Sequence, residues 1–195
     1  MSKVKADHLK NTTDNNLLIN GYPRQPGRII EYLSNQCDGS EVVGETGIYT
    51  WPNVTTHQLL TVTNTDVTGS IIEYTPPVGT RKVVYKFNFA LGYETEHAIT
   101  HFKLFVDNNE VLHARHNRSA RHPNSTYPFE WVFNIGNMQN NNVGRQSTWD
   151  TPKTIKMQTR CYAAGNLSRL HMSRLWDGAD TLNFRIPSLT LIAIA

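Results

Sequence analysis

Beyond residue 55 the strongest signals along the chain alternate apolar and polar side chains with a period of two, the signature of strands wet on one face. In VVYKFNFAL, Tyr85, Phe87 and Phe89 share one face while Lys86 and Asn88 share the other. Phe102, Leu104 and Val106 repeat the pattern in HFKLFVD, and Asp107-Asn108-Asn109 then reads as a hairpin turn. FEWVFNI places Phe129, Trp131, Phe133 and Ile135 together, and TIKMQTRCYA sets Ile155, Met157, Thr159 and Cys161 against Lys156, Gln158 and Arg160. The final LTLIAIA is apolar on both faces, so that strand should sit centrally in a sheet or against another subunit. No segment keeps a helical stripe; HLKNTTDNNLLI is too polar to bury one. The predicted fold is all-β, an antiparallel jelly-roll-like sandwich with an extended N-terminal arm.

Organisation before residue 56 is weaker. Residues 1–20 are polar and Asn- and Thr-rich, and read as an arm that docks onto another protein. Residues 21–55 alternate Pro and Gly signals with short apolar runs, and read as an extended or short-strand attachment region in which IIEYL fits an edge strand. The β-sandwich domain is assigned to 56–195. GRIIEY at 27–32 recurs as GSIIEY at 69–74, too few copies for a stacked repeat.

Composition narrows the classes. The 195 residues include 21 Thr and 19 Asn, which favours strands and polar loops. A net charge of +3 is too small to point to nucleic acid. No apolar run is long enough to span a membrane as a helix, and the N-terminus lacks the apolar segment of a secretory signal. Cys37 and Cys161 stand far apart and are expected to be unpaired thiols.

Candidate chemistry is sparse. Five of the eight histidines, His97, His101, His113, His116 and His122, fall within 26 residues without an HExxH arrangement, and no metal or other cofactor is expected. ARHNRSARHPN reads as a basic loop in which Arg115, His116, Arg118, Arg121 and His122, with Tyr127 beside them, could meet an anion or a neighbouring subunit. Trp149 and Trp176 lie in polar contexts where a ring either stacks on a sugar or packs inside. Carboxylate pairs such as Glu31 with Glu73, or Glu94 with Glu96, can be chosen for glycoside hydrolysis, but nothing sets their separation. No GxSxG elbow or phosphate-binding glycine loop is present. An enzyme is therefore not expected.

The succession YPRQPGRIIEYLSNQCDGS, GIYTWPNVT, GSIIEYTPPVGTRKVVYKFNF, HAITHFKLFVDNNEV, FEWVFNIG, GRQSTWDTPKTIKMQTRCY and LTLIAIA resembles virion structural or fibre-like proteins of marine tailed phages and large algal viruses. The resemblance covers residues 21–195 and carries no functional residues across. It implies a non-enzymatic virion component, associated with capsid or tail, built from β-sandwich subunits in an oligomer, often a trimer. Its implied partners are copies of itself and, through the N-terminal arm, other virion proteins. A receptor-binding fibre head meeting host surface glycans is the alternative, and a glycan-acting hydrolase a more remote one.

Overall fold

The computed structural model describes residues 26–93, 98–120, 125–136, 138–175 and 181–195. Sixteen strands follow in chain order: β1 Ile29–Gln36, β2 Glu41–Gly44, β3 Gly47–Thr50, β4 Gln58–Leu59, β5 Thr65–Asp66, β6 Ile72–Tyr74, β7 Lys82–Tyr93, β8 Ala98–Val106, β9 Asn109–Glu110, β10 His116–Ala120, β11 Ser125–Asn134, β12 Lys153–Cys161, β13 Ser168–Leu170, β14 Met172–Leu175, β15 Thr181–Phe184 and β16 Ser188–Ile194. Among the described residues helix is confined to two single 3-10 turns, Leu112–Ala114 and Asn141–Val143.

Two six-stranded sheets carry the architecture. In the first, β1 pairs with β16, β16 with β7, and β7 with β11; β13 and β4 extend it past the end of β16. In the second, β6 pairs with β12, β12 with β8, and β8 with β10, while β5 and β9 pair short stretches of β12 and β8. Taking the eight strands β1, β6, β7, β8, β10, β11, β12 and β16 in order, the sheets run first-eighth-third-sixth and second-seventh-fourth-fifth. That interleaving is the double Greek key of a jelly roll.

Period-two alternation delivers the core. Tyr85, Phe87 and Phe89 of β7 face Phe102, Leu104 and Val106 of β8 and Ile155 and Met157 of β12 in one cluster, and all are at most 2% exposed. Burying each such side chain contributes about 1.5–3 kcal/mol. β16 lies between β1 and β7, so Leu189 and Leu191 point into the core while Ile192, on the outward face, is flanked by strands on both sides. The doubly apolar terminus thus has the central place its pattern asks for. Turn chemistry also follows the sequence: Asp107 adopts φ 54° where the chain reverses from β8 to β9, a conformation Asp tolerates.

The sandwich is closed along both open sides by mixed polar and aromatic contacts. Beside β1 and β6, the buried Glu31 carboxylate accepts from Tyr74 Oη at 2.6 Å and from the Glu45 backbone N–H at 2.6 Å. This ties β1 of the first sheet and β6 of the second to the β2–β3 hairpin. Gly44 lets the hairpin approach, because a Cβ there would lie 2.8 Å from Glu31 Oε1. The stretch read as an attachment region contributes Leu33, Cys37, Trp51 and Val54 to the same core as the later strands. On the opposite side His116 stacks between Phe102 and Phe129, with ring centroids 5.1 Å from each.

The repeated hexapeptide lands in opposite phases. In the first copy Glu31 is buried and Tyr32 is 60% exposed; in the second Tyr74 is buried and Glu73 exposed. A register shift between Ile29 and Glu31 in β1 sets the first phase. Glu31 is therefore buried, although it follows two isoleucines in a strand just as the exposed Glu73 does.

Candidate functional site

The basic run at 113–122 is not a free loop through its middle. His116–Ala120 is β10, hydrogen-bonded to β8 because each of its residues pairs across to Phe102–Ala98. Its side chains split accordingly. Arg115, just before the strand, forks onto Glu110, with Nη2 to Oε2 at 2.9 Å, and this bond holds the Glu110 carboxyl below the usual carboxylate range. His116 Nδ1 donates to the Ala114 carbonyl at 3.0 Å, and burial lowers its proton affinity below that of an ordinary imidazole. Arg118 lies over the Tyr127 ring at 5.4 Å, and Tyr127 Oη donates to the Ser119 carbonyl at 3.0 Å. His116, Arg118 and Tyr127 thus gather where β10 meets β11, holding that side of the sandwich together.

Trp149 stands elsewhere and is buried. Its Nε1–H donates to the Tyr74 carbonyl at 3.0 Å and its ring meets Phe133 edge-on. Arg121, His122 and Trp176 lie outside the described residues, as do the arm at 1–20, His97 and the Glu94 and Glu96 pair. Among the described residues no three His, Cys, Asp or Glu side chains are grouped to hold a metal ion. Glu31 and Glu73 occupy opposite environments, one buried and one exposed. Both cysteines are buried free thiols, and burial pushes the Cys37 thiol up to about 12.

Two surface regions stand out instead. The first is the outward face of the second sheet. Cross-strand pairing sets Asn117 of β10 opposite His101 of β8, and His101 opposite Arg160 of β12. With Ile99, Lys103, Tyr162 and Asn64 they line a depression of about 380 Å³. His101 Nδ1 lies 2.8 Å from Asn117 Oδ1, so the ring N–H donates and the Asn117 amide N–H groups remain as donors. Tyr162 is 69% exposed. The nearby carboxylates are already engaged: Asp66 by Lys156 at 3.1 Å and by Gln158 at 2.8 Å, Glu110 by Arg115 and, at 3.8 Å, Lys103. Arg160 has no ion-pair partner among the described residues. The sequence shows Arg160 only as the polar phase of a strand; register alone brings it to His101 and Asn117.

The second region is the edge formed by β1, β2 and β3. Among the described residues β1 has no strand on its far side. Val43 and Ile48 pair across the hairpin and are 76% and 64% exposed, with Ile29 and Tyr32 also exposed on β1. A groove of about 330 Å³ separates this hairpin from β6 and includes Ile48, Tyr49 and Glu73.

These features define a jelly-roll β-sandwich with one apolar edge and one basic, amide-lined sheet face. No protein-family model matches the chain, and no curated protein matches it. Among solved structures, it is similar to a chain in a structure of the infectious bursal disease virus Gx strain, at 9% identity and a TM-score of 0.36, covering 87% of this chain and 37% of that one. At so low a score the strand order stands without help from the match. No helix among the described residues is long and apolar enough to cross a membrane.

Proposed function

We propose that the chain is a non-enzymatic virion structural protein, capsid- or tail-associated, that works as a closed oligomer of jelly-roll subunits. The observation that carries this reading is the β1–β3 edge. It combines a strand, β1, that has no neighbouring strand on its far side among the described residues, an exposed Val43–Ile48 pair, and exposed Ile29 and Tyr32 on β1. An isolated subunit gains nothing from such an edge and risks non-specific pairing; a neighbour that covers it removes both costs. A second copy is the assigned occupant, with a trimer as the expected closed form, since a closed ring leaves no copy of the edge uncovered. The strand order supports the assignment as one that viral shell subunits use, although the same fold serves lectins and cupins. The resemblance of residues 21–195 to virion structural proteins supports a virion location.

The experiment is sedimentation of the full-length chain over a wide concentration range. A discrete multimer supports the reading, and a monomer at every concentration overturns it.

A second reading, a head that recognises host surface glycans, is favoured by the depression on the second sheet.

A further inference from the structure

We infer that the depression on the outward face of β10, β8 and β12 is a binding site for an acidic saccharide, a sugar bearing a carboxylate or a sulfate. In antiparallel pairing Asn117, His101 and Arg160 form one row across three strands, and Ser119 opposite Ile99 opens the next, where the Tyr162 backbone N–H donates to the Ile99 carbonyl. Lys103 occupies the row on the other side, next to Gln158. Paired strands therefore hold a cation, an imidazole and an amide around one hollow, with the Tyr162 ring just past the end of β12.

Each group has a task that a sugar fits. Arg160 offers a planar fork of donors suited to a carboxylate or sulfate, and Lys103, which also faces Glu110 at 3.8 Å, stands at the other side of the hollow. Asp66 and Glu110 are each bonded to other bases, so neither neutralises Arg160. Tyr162, 69% exposed, and Ile99, 37% exposed, present apolar surface to the C–H face of a pyranose. The amides of Asn64 and Asn117 flank the hollow and can both donate to and accept from hydroxyls. A volume of about 380 Å³ falls within the range of small-ligand sites, roughly 300–1,000 Å³. A simple inorganic anion would use the cations and leave the ring and both amides idle. Nucleic acid would call for a basic surface extending beyond one hollow, whereas Lys156, the next cation along β12, is already paired with Asp66.

This inference does not depend on self-assembly, so either reading can fail alone. The test is calorimetric titration of the full-length protein at about 0.15 M ionic strength, where non-specific charge contacts are screened. The probes are a heparin-derived tetrasaccharide, its desulfated N-acetylated counterpart, inorganic sulfate, and a single-stranded DNA oligonucleotide. Binding of the tetrasaccharide is expected, with Arg160→Gln and Tyr162→Ala each weakening it by about tenfold while thermal unfolding stays at the wild-type temperature. If the desulfated sugar still binds, the recognised group is a carboxylate; if only the sulfated sugar binds, it is a sulfate. No binding of the tetrasaccharide overturns the inference. So does binding that neither substitution changes, or that inorganic sulfate or the DNA matches in affinity.

Discussion

The two exteriors of this sandwich differ although they enclose one core. The β1–β3 edge presents Val43, Ile48, Ile29 and Tyr32 beside the exposed Glu41 and Glu45, whereas the outward face of β10, β8 and β12 presents His101, Lys103, Arg160 and amides. Both belong to strands that alternate by the same period, so burial on the inner side does not decide what stands on the outer side. A face that only needs solubility would be mixed and neutralised by its own pairs, as Lys86 and Glu130 are at 3.0 Å on the first sheet. The β1–β3 edge leaves Val43 and Ile48 exposed, and the second sheet, which pairs Lys156 with Asp66 and Lys103 with Glu110, leaves Arg160 without an ion pair among the described residues. One is suited to another protein surface and the other to a small polar anion.

The largest expected effect removes the support common to both regions. Phe87 is fully buried and stacks on Phe89, so Phe87→Ala should cost about 3–5 kcal/mol in urea unfolding, and assembly and sugar binding should fail together. Survival of one without the other would show that the regions do not share a core.

Acid should act next. His171 is fully buried; its Nε2–H donates to the Thr68 carbonyl at 2.9 Å, and Nδ1 has no hydrogen-bond partner among the described residues. Burial therefore lowers its pKa to about 4. Because the folded value is depressed below the unfolded one, this contribution is complete above about pH 6.5 and is lost as pH falls toward 4, up to about 3 kcal/mol. Unfolding midpoints at pH 7 and pH 4.5 check this, and His171→Gln should flatten the difference.

A smaller change separates the regions. Tyr74→Phe leaves the buried Glu31 carboxylate short of one donor and should cost about 1.5–3 kcal/mol. Hydrogen exchange should quicken in residues 41–50 before it does in β8 or β12, with saccharide binding unchanged. Smallest of all, Arg160→Gln should leave stability within about 0.5 kcal/mol and the assembled mass unaltered, because the side chain holds no pair among the described residues.

The sequence made the core legible wherever alternation ran long. The faces of β7, β8, β11 and β12 follow from Tyr85, Phe102, Phe129 and Ile155 and their neighbours two residues away, and the central place of β16 from its two apolar faces. Short strands were less readable, since a few residues cannot fix a phase. The IIEY copies show why: one bulge in β1 buries Glu31 where its twin Glu73 is exposed. The candidate depression was hidden for a different reason. Asn117, His101 and Arg160 are 16 and 59 positions apart along the chain, and only pairing across strands joins them. The arginines that stood out as a cluster instead meet nearby partners, Arg115 at Glu110 and Arg118 at Tyr127.

The most direct test compares light-scattering mass for three full-length proteins: wild type, the double variant Val43→Glu with Ile48→Glu, and Arg160→Gln. Val43 and Ile48 are both exposed, so the double variant should fold. The account predicts a multimer for wild type and for Arg160→Gln, and a monomer for the double variant. A monomeric wild type, or a double variant with the wild-type mass, would contradict it.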